Sequence, residues 1–360
     1  MATARSSAAR FAFNLHIILI VLILLYLGQV VLVPLAFAGL IALLLIPICN
    51  FFENQGFPRL YAALISVILG LLFFIVTSYY ISSQIISFKN DLPLIAQRLT
   101  FSLQELQKWI AAKFDVGANN VQDFADSTTN QILSNTSLLV STTFLTISRI
   151  FFIVLIVPVY VFLILLYRKL IVDFIMACFK TEHDGLVRDI LSRTRGVVKG
   201  YIVGIFIETI IVAVLLWIGF VIIGVKYSIL LALISALLKL VPYLGIITAC
   251  ILSMLVTLTT NSLNTVTGVL IIQLIVHLVD GNFIFPAIVG SKVKMNALAI
   301  IVGVIIGSVL WGIPGMFLAI PILATLKVIF DSLDQFKPWA ILLGDDPKIP
   351  KIKKGRSPLH

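Results

Sequence analysis

Five ionisable side chains stand inside or beside strongly apolar runs of the sequence: His16, Glu208, Lys239, His277 and Asp280. Glu208 lies in IFIETIIVAV, with apolar residues on every side. A carboxyl group in such a run is protonated, pairs with a cation or faces water. The first and last of these would suit a proton carrier. Lys239 is a candidate partner for it, or else it snorkels to an interface. His277 and Asp280 are three residues apart, about one helical turn, so they share a face. Histidine titrates near neutral pH, and an adjacent carboxylate favours its charged form. The pair fits proton coupling, or a local salt bridge at an interface.

The backbone around these residues is marked for interruption. Asp280, Gly281 and Asn282 follow an apolar run that carries His277, and Pro286 and Gly290 come next. Backbone groups in lipid must be satisfied internally, which makes unbroken helix the default. An interruption here therefore predicts a protected, solvated cavity. Two other segments carry the same signature: Lys239, Pro242, Tyr243 and Gly245 in KLVPYLGII, and Gly312, Pro314, Gly315 and Pro321 in WGIPGMFLAIP. Proline removes a donor and kinks a helix. Broken helices of this kind expose carbonyls and dipole ends in ion-coupled transporters, and they also occur as plain kinks relieved by neighbouring helices. Three in one half of the chain favour a functional core, in which Tyr243 and Asn282 would offer neutral hydrogen bonds to a substrate. Gly200-x-x-x-Gly204 and Gly303-x-x-x-Gly307 are small-residue faces suited to close packing within the chain.

Other chemistries are excluded by what the sequence lacks. It has no P-loop, no Gly-x-Ser-x-Gly elbow and no His pair at metal-binding helical spacing. No enzyme activity, cofactor or metal is expected. The three cysteines, Cys49, Cys178 and Cys250, are too scattered for a disulfide framework or a zinc site. The net charge of +10 could suggest nucleic acid. The basic residues, however, fall in loops and tails beside apolar spans, where membrane orientation puts them, so a nucleic-acid partner is rejected.

The elements that must position these residues are membrane helices. Of the 360 residues 60% are apolar and only 12% charged, about half the charge of a soluble domain. A helix needs about 20 apolar residues to cross a hydrocarbon core of about 30 Å, and several runs qualify. The fold class expected is all-α: a polytopic membrane protein of about eight transmembrane helices, with broken or re-entrant helices in the C-terminal half and an extramembrane helical hairpin. Residues 1–80 hold three spans, at about 11–31, from Pro34 to about residue 52, and at 61–80. The first runs on into the second with no small-x-small cleavage site, so it reads as anchor and not as a removed signal. Residues 81–137 form the hairpin, in which Leu92, Ile95, Leu99, Leu103, Leu106 and Ile110 recur at helical spacing. The fourth span is 138–167, and 168–199 is a basic loop. Residues 200–330 form the core, broken by Gly, Pro and Lys, and 331–360 a basic tail. The long stretch 297–330 exceeds one span and is a tilted helix, a broken helix or a re-entrant hairpin.

Charge sets the orientation. Arg168, Lys169, Lys180, Arg188, Arg193, Arg195 and Lys199 outnumber Asp173, Glu182, Asp184 and Asp189, whereas 81–137 is slightly acidic. The positive-inside rule then places both termini and 168–199 inside and the hairpin outside.

The sequence resembles the autoinducer-2 exporter family of bacterial membrane proteins. The likeness is carried by Leu238-Lys239-Leu240-Val241-Pro242-Tyr243-Leu244-Gly245, by Asp280-Gly281-Asn282 with Pro286 and Gly290, and by Gly312-Ile313-Pro314-Gly315-Met316 running to Ala319-Ile320-Pro321. Pro34, Pro47 and the Lys199-Gly200 junction also fit. Asn296-Ala297 departs from a pattern that usually reads His-Pro. The resemblance implies a multi-pass protein of the bacterial inner membrane that exports a small solute such as autoinducer-2. Relatives include proteins resembling sodium/proton antiporters, and homo-oligomers, pentamers among them, are implied as well. The expected function is a secondary transporter for a small polar solute or a monovalent cation, coupled to protons or sodium. The alternative is an oligomeric channel or scaffold whose hairpin binds a partner. Pathway residues would be Glu208, Lys239, Pro242, Tyr243, Gly245, His277, Asp280, Asn282, Pro286, Gly312, Pro314 and Gly315.

Overall fold

The computed structural model describes residues 13, 16–17, 19–80, 82–83, 155–241, 244–260 and 263–345. The expected hairpin at 81–137, the first half of the fourth span, the tail beyond residue 345, and Pro242 and Tyr243 lie outside the described residues, save 82–83. Among the described residues there is no strand beyond an isolated bridge between Met295 and Gly344. Six helices are long and apolar enough to cross a membrane. The chain is a polytopic, all-α membrane protein.

The first long helix, α1 (Gln29–Asn54), contains Pro34 and Pro47. Residues 19–27 are also helical, and Gly28 joins them to α1 through ordinary helical bonds: Gly28 N–H donates to the Leu24 carbonyl at 2.8 Å and Leu32 N–H to the Gly28 carbonyl at 2.9 Å. The turn expected between a first and a second span is therefore absent. Pro34, taken as the start of a new span, is buried inside one continuous rod. Residue 19 and Asn54 lie at its opposite ends. α2 spans Arg59–Tyr80 and α3 spans Leu155–Ala177. Buried Pro34, Ala38, Ala42, Leu45 and Cys49 recur along α1 at intervals of three or four. Small residues at that spacing let backbones approach, and the stripe packs on Ala62, Ala63 and Val67 of α2 and on Val161 and Leu165 of α3.

α4 (Asp184–Ile222) has 39 residues and is about 58 Å long at 1.5 Å per residue. That is nearly twice a hydrocarbon core, so its polar first turns project beyond the membrane. The stretch expected as a basic loop is accordingly mostly helix. It comprises the end of α3, a 3-10 turn at Thr181–His183 and the start of α4. Polarity reported the solvent around those residues and not their backbone.

α5 (Ser228–Leu238) has only 11 residues, about 16 Å, half a span. α6 (Leu244–Thr260) follows after a short connection. Gly245 presses against the Leu238 carbonyl, where a Cβ would overlap it. α7 (Leu263–Val279) continues through two π-helical turns, Asp280–Ile284 and Pro286–Gly290. The expected interruption at Gly281–Pro286 is thus a widening and not an unwinding. The extra residue per turn accommodates the amide that Pro286 lacks. A second core forms where Val212, Leu216 and Phe220 of α4 meet Leu231, Ala232 and Ala236 of α5, Val256 of α6 and Val269 and Val276 of α7.

α8 (Ala297–Ser332) is two helices joined at Gly312, whose φ of 64° and ψ of −143° fold the chain sharply. That φ favours glycine. Gly303 faces Leu323, and Gly307 faces Gly315 and Ala319. These pairings run in opposite directions about residue 312, so 297–311 and 313–332 are the two arms of a hairpin. This decides among the three forms the sequence allowed. The Gly303/Gly307 face is used within the chain, to bring the arms together. Gly204 likewise lets α4 approach the second π-turn, where a Cβ would come within 3.1 Å of the Ile288 carbonyl. Trp311, at the hairpin tip, donates from Nε1 to the Leu25 carbonyl at 2.9 Å, and Phe317 stacks on Phe37 of α1 at 5.6 Å.

At the base of the hairpin stands Asn296. Its Oδ1 accepts from Ala299 N–H at 2.7 Å, capping α8. Its Nδ2 donates to the carbonyls of Leu342 and Gly344 at the end of α9 (Lys337–Leu343). The departure from His-Pro is filled by a residue that caps one helix and ties down another.

Candidate functional site

Three of the five ionisable residues come together. Glu208 projects from the buried face of α4, Lys239 follows the end of α5, and Asp280 opens the first π-turn. The Lys239 ammonium contacts Glu208 Oε1 and Asp280 Oδ2. The carboxylates are almost wholly enclosed, with side-chain exposures of 3% and 4%. The cluster carries one cation for two carboxyl groups, so with all three charged it holds a net charge of −1. Asp280 Oδ1 is buried and, among the described residues, has no hydrogen-bond partner. Buried carboxylate oxygens are ordinarily paired. Among the described residues this one is an acceptor without a donor, in a cluster short of one positive charge.

Local sequence explains the geometry. Glu208 and Tyr201, seven residues apart, lie on one face of α4, and both are buried. The brevity of α5 leaves Lys239 at membrane depth, because the chain turns back there. The π-turn re-aims the α7 rod by one extra residue per turn at the point where Asp280 begins.

Lys239 borders two cavities. The larger, of about 630 Å³, has Glu208, Lys239 and Tyr201 on its wall, passes Pro286, and reaches Lys294 and Asp345 near the base of the α8 hairpin. The smaller, of about 40 Å³, is bounded by Lys239, Asp280, His277, Ser235 and Gln273. Beside it lies a neutral polar cluster. Gln273 Nε2 donates to Ser253 Oγ at 3.0 Å and to Ser235 Oγ at 3.3 Å, and the two hydroxyls are 3.3 Å apart. Ser235 and Ser253 are buried.

The remaining expected site residues are placed as follows. His277 borders the small cavity but is exposed. Asp280 pairs with Lys239, and among the described residues no bond joins it to His277. Asn282 is exposed and donates from Nδ2 to the Leu278 carbonyl at 2.8 Å, so it serves its own helix. Pro286 lines the large cavity and Gly245 forms the tight turn beside Lys239. Gly312, Pro314 and Gly315 shape the hairpin turn and line neither cavity. Ser235, Ser253 and Gln273 went unseen in the sequence because none carries charge. The available signal was their setting: each is a hydrogen-bonding side chain with apolar neighbours along its helix, which needs a partner in lipid.

A buried acid–base–acid cluster between two cavities, reached through half-length and folded helices, is the arrangement of a membrane transport protein. The profile of the AI-2E family transporter matches residues 15–335. The chain belongs to the AI-2E transporter family. It is 25% identical over 310 residues to "Putative transport protein YueF" of Bacillus subtilis (strain 168), covering 82% of each chain. It is 26% identical over 339 residues to "Putative transport protein" of Haemophilus influenzae, covering 91% of this chain and 94% of that one. A shorter likeness, 28% over 165 residues, links it to "Putative permease PerM" of Escherichia coli (strain K12), with 42% and 47% covered.

Proposed function

We propose that this member of the family is a non-enzymatic secondary transporter that moves a small polar solute or a monovalent cation out of the cell, driven by a proton or sodium gradient. The observation that carries the reading is Asp280 Oδ1, without a partner among the described residues, in a cluster that has one fewer cation than carboxyl groups. Such a site is completed by one more positive charge. A proton or cation arriving at Asp280 weakens the hold on Lys239, which can then rest on Glu208 alone. Departure of that charge draws Lys239 back between the two acids. Because Lys239 borders both cavities, this exchange would couple ion occupancy to access from the larger one. A solute of the autoinducer-2 type, small and polar, fits a cavity of about 630 Å³.

The membrane would be the bacterial inner membrane, with the Glu53, Arg168 and Arg195 end of the bundle in the cytoplasm, as the excess of Arg and Lys there favours. Residue 19, at the other end of the α1 rod, would then face outward, which departs from the cytoplasmic N-terminus expected from charge. The base of the α8 hairpin would share that side, which makes the large cavity inward-facing. Homo-oligomers, as the family resemblance suggests, would leave this site within one protomer, since its three charged groups come from one chain.

The test is flux into proteoliposomes of purified protein, with a panel of monovalent cations and small polar solutes, under imposed proton or sodium gradients. The reading expects uptake that follows the sign of one gradient. Uptake that follows only the solute's own gradient would make the protein a passive channel.

A further inference from the structure

The largest cavity among those described lies far from the acid–base–acid cluster. It is a groove of about 700 Å³ between α1, α3 and the projecting start of α4. Its two zones differ in chemistry. The floor is apolar, made of Leu43 and Ile46 of α1, Ile164, Ile171 and Ile175 of α3, and Leu191 of α4. The rim carries Arg168, Lys169, Arg188 and Arg195 against a single carboxylate, Asp173.

The cations differ in how far they are already used. Arg168 is held by Glu53 Oε2 at 2.5 Å and by Asn50 Oδ1 at 2.8 Å. Neighbouring Arg193 is paired with Asp189. Lys169, Arg188 and Arg195 are exposed at the groove, and none of them forms an ion pair with a described carboxylate. Three free cations and an apolar lining thus share one groove at the end of three membrane helices. A lipid brings both an acyl chain and a phosphate to such a place. Basic pockets between helices select anionic headgroups, and guanidinium groups bind phosphate oxygens in bidentate fashion.

We propose that this groove is a binding site for one anionic glycerophospholipid, with its phosphate held by Arg188, Arg195 and Lys169 and an acyl chain on the Ile164–Ile171–Leu191 floor. The occupant ties α3 to α4 beside the short turn at Thr181–His183. The site is independent of the transport reading.

The test uses the full-length protein in a neutral detergent. Native mass spectrometry would count bound phosphatidylglycerol against phosphatidylcholine, and thermal unfolding would be followed with each lipid and with inorganic phosphate. The proposal expects saturable retention of one phosphatidylglycerol per protomer and stabilisation by that lipid alone. Each basic residue contributes a factor of about five to association with an anionic lipid surface. The double variant Arg188→Gln, Arg195→Gln should therefore lose about 25-fold in retention. Its unfolding temperature without lipid should match the wild type, because both side chains are exposed and unpaired. A double variant that holds phosphatidylglycerol as well as the wild type overturns the proposal. So does equal stabilisation by inorganic phosphate, which would mark a plain anion site. Groove residues cross-linking to a second protomer with no lipid retained would overturn it too, by making the groove a subunit contact.

Discussion

The molecule places the same kinds of charged group in two arrangements of opposite stoichiometry. At the exposed end of α1, one carboxylate, Glu53, meets two cations: Arg168 at 2.5 Å and Arg59 at 3.7 Å. Inside the C-terminal half, one cation, Lys239, meets two carboxyl groups, Glu208 and Asp280. The first cluster is partly solvated, and its acid has no capacity to spare. The second has its carboxylates deeply buried beside two cavities and, among the described residues, keeps an unused acceptor. The difference separates a brace from a site. An excess of cation near the headgroups costs little and anchors helix ends, whereas an excess of acid at depth persists only if something else supplies positive charge. Packing follows the same division. Small residues bring α1, α2 and α3 together through an apolar core, whereas the apolar core of α4 to α7 lies beside hydroxyls, an amide and charges.

Removing the shared cation should produce the largest effect. Lys239→Met leaves two buried carboxyl groups without a counter-charge, and breaking a buried pair costs about 3–5 kcal/mol. The unfolding temperature in detergent should fall steeply, and the fall should be relieved when Asp280→Asn and Glu208→Gln are added. A stable single variant would mean the cluster is not held by Lys239.

Next come the hairpin glycines. A Cβ at Gly315 would meet the Gly307 carbonyl, so Gly315→Ala should destabilise by about 1–3 kcal/mol through overpacking. It should leave ion dependence unchanged, since Gly315 lines neither cavity. Asn296→Ala removes a cap and should cost about 1 kcal/mol, measured by the same melts. Glu53→Gln should be the mildest. Partly exposed ion pairs contribute at most about 1 kcal/mol, and any gradient-driven flux should persist. Loss of coupling in Glu53→Gln with coupling intact in Asp280→Asn would reverse the comparison.

Much of this was legible in the residues, for identifiable reasons. Charged groups in apolar runs are conspicuous, so Glu208, Lys239 and Asp280 could be singled out one by one, and Glu208 with Lys239 as candidate partners. Which acids Lys239 would take was not legible, because that depends on α5 being half a span and on the register of the π-turn. His277 looked like the natural partner of Asp280 from spacing alone, and tertiary packing turned Asp280 toward Lys239. Proline misled at Pro34, because a buried helix in lipid tolerates it when neighbours fill the gap. Glycine was informative at Gly312, but only its positive φ distinguishes a fold-back from a kink. The neutral cluster of Ser235, Ser253 and Gln273 left only the faint signal of isolated polar residues.

The central claim is that the acid–base–acid cluster couples transport to an ion. Its most direct test compares wild type with Asp280→Asn in proteoliposomes, scoring flux of the identified solute or cation with and without the driving gradient. The variant keeps a one-to-one Lys239–Glu208 pair and should fold. The account predicts that gradient-dependent flux falls about tenfold or more, a loss of roughly 1.4 kcal/mol in coupling, with the melting temperature close to wild type. Full gradient-driven flux in Asp280→Asn would contradict it.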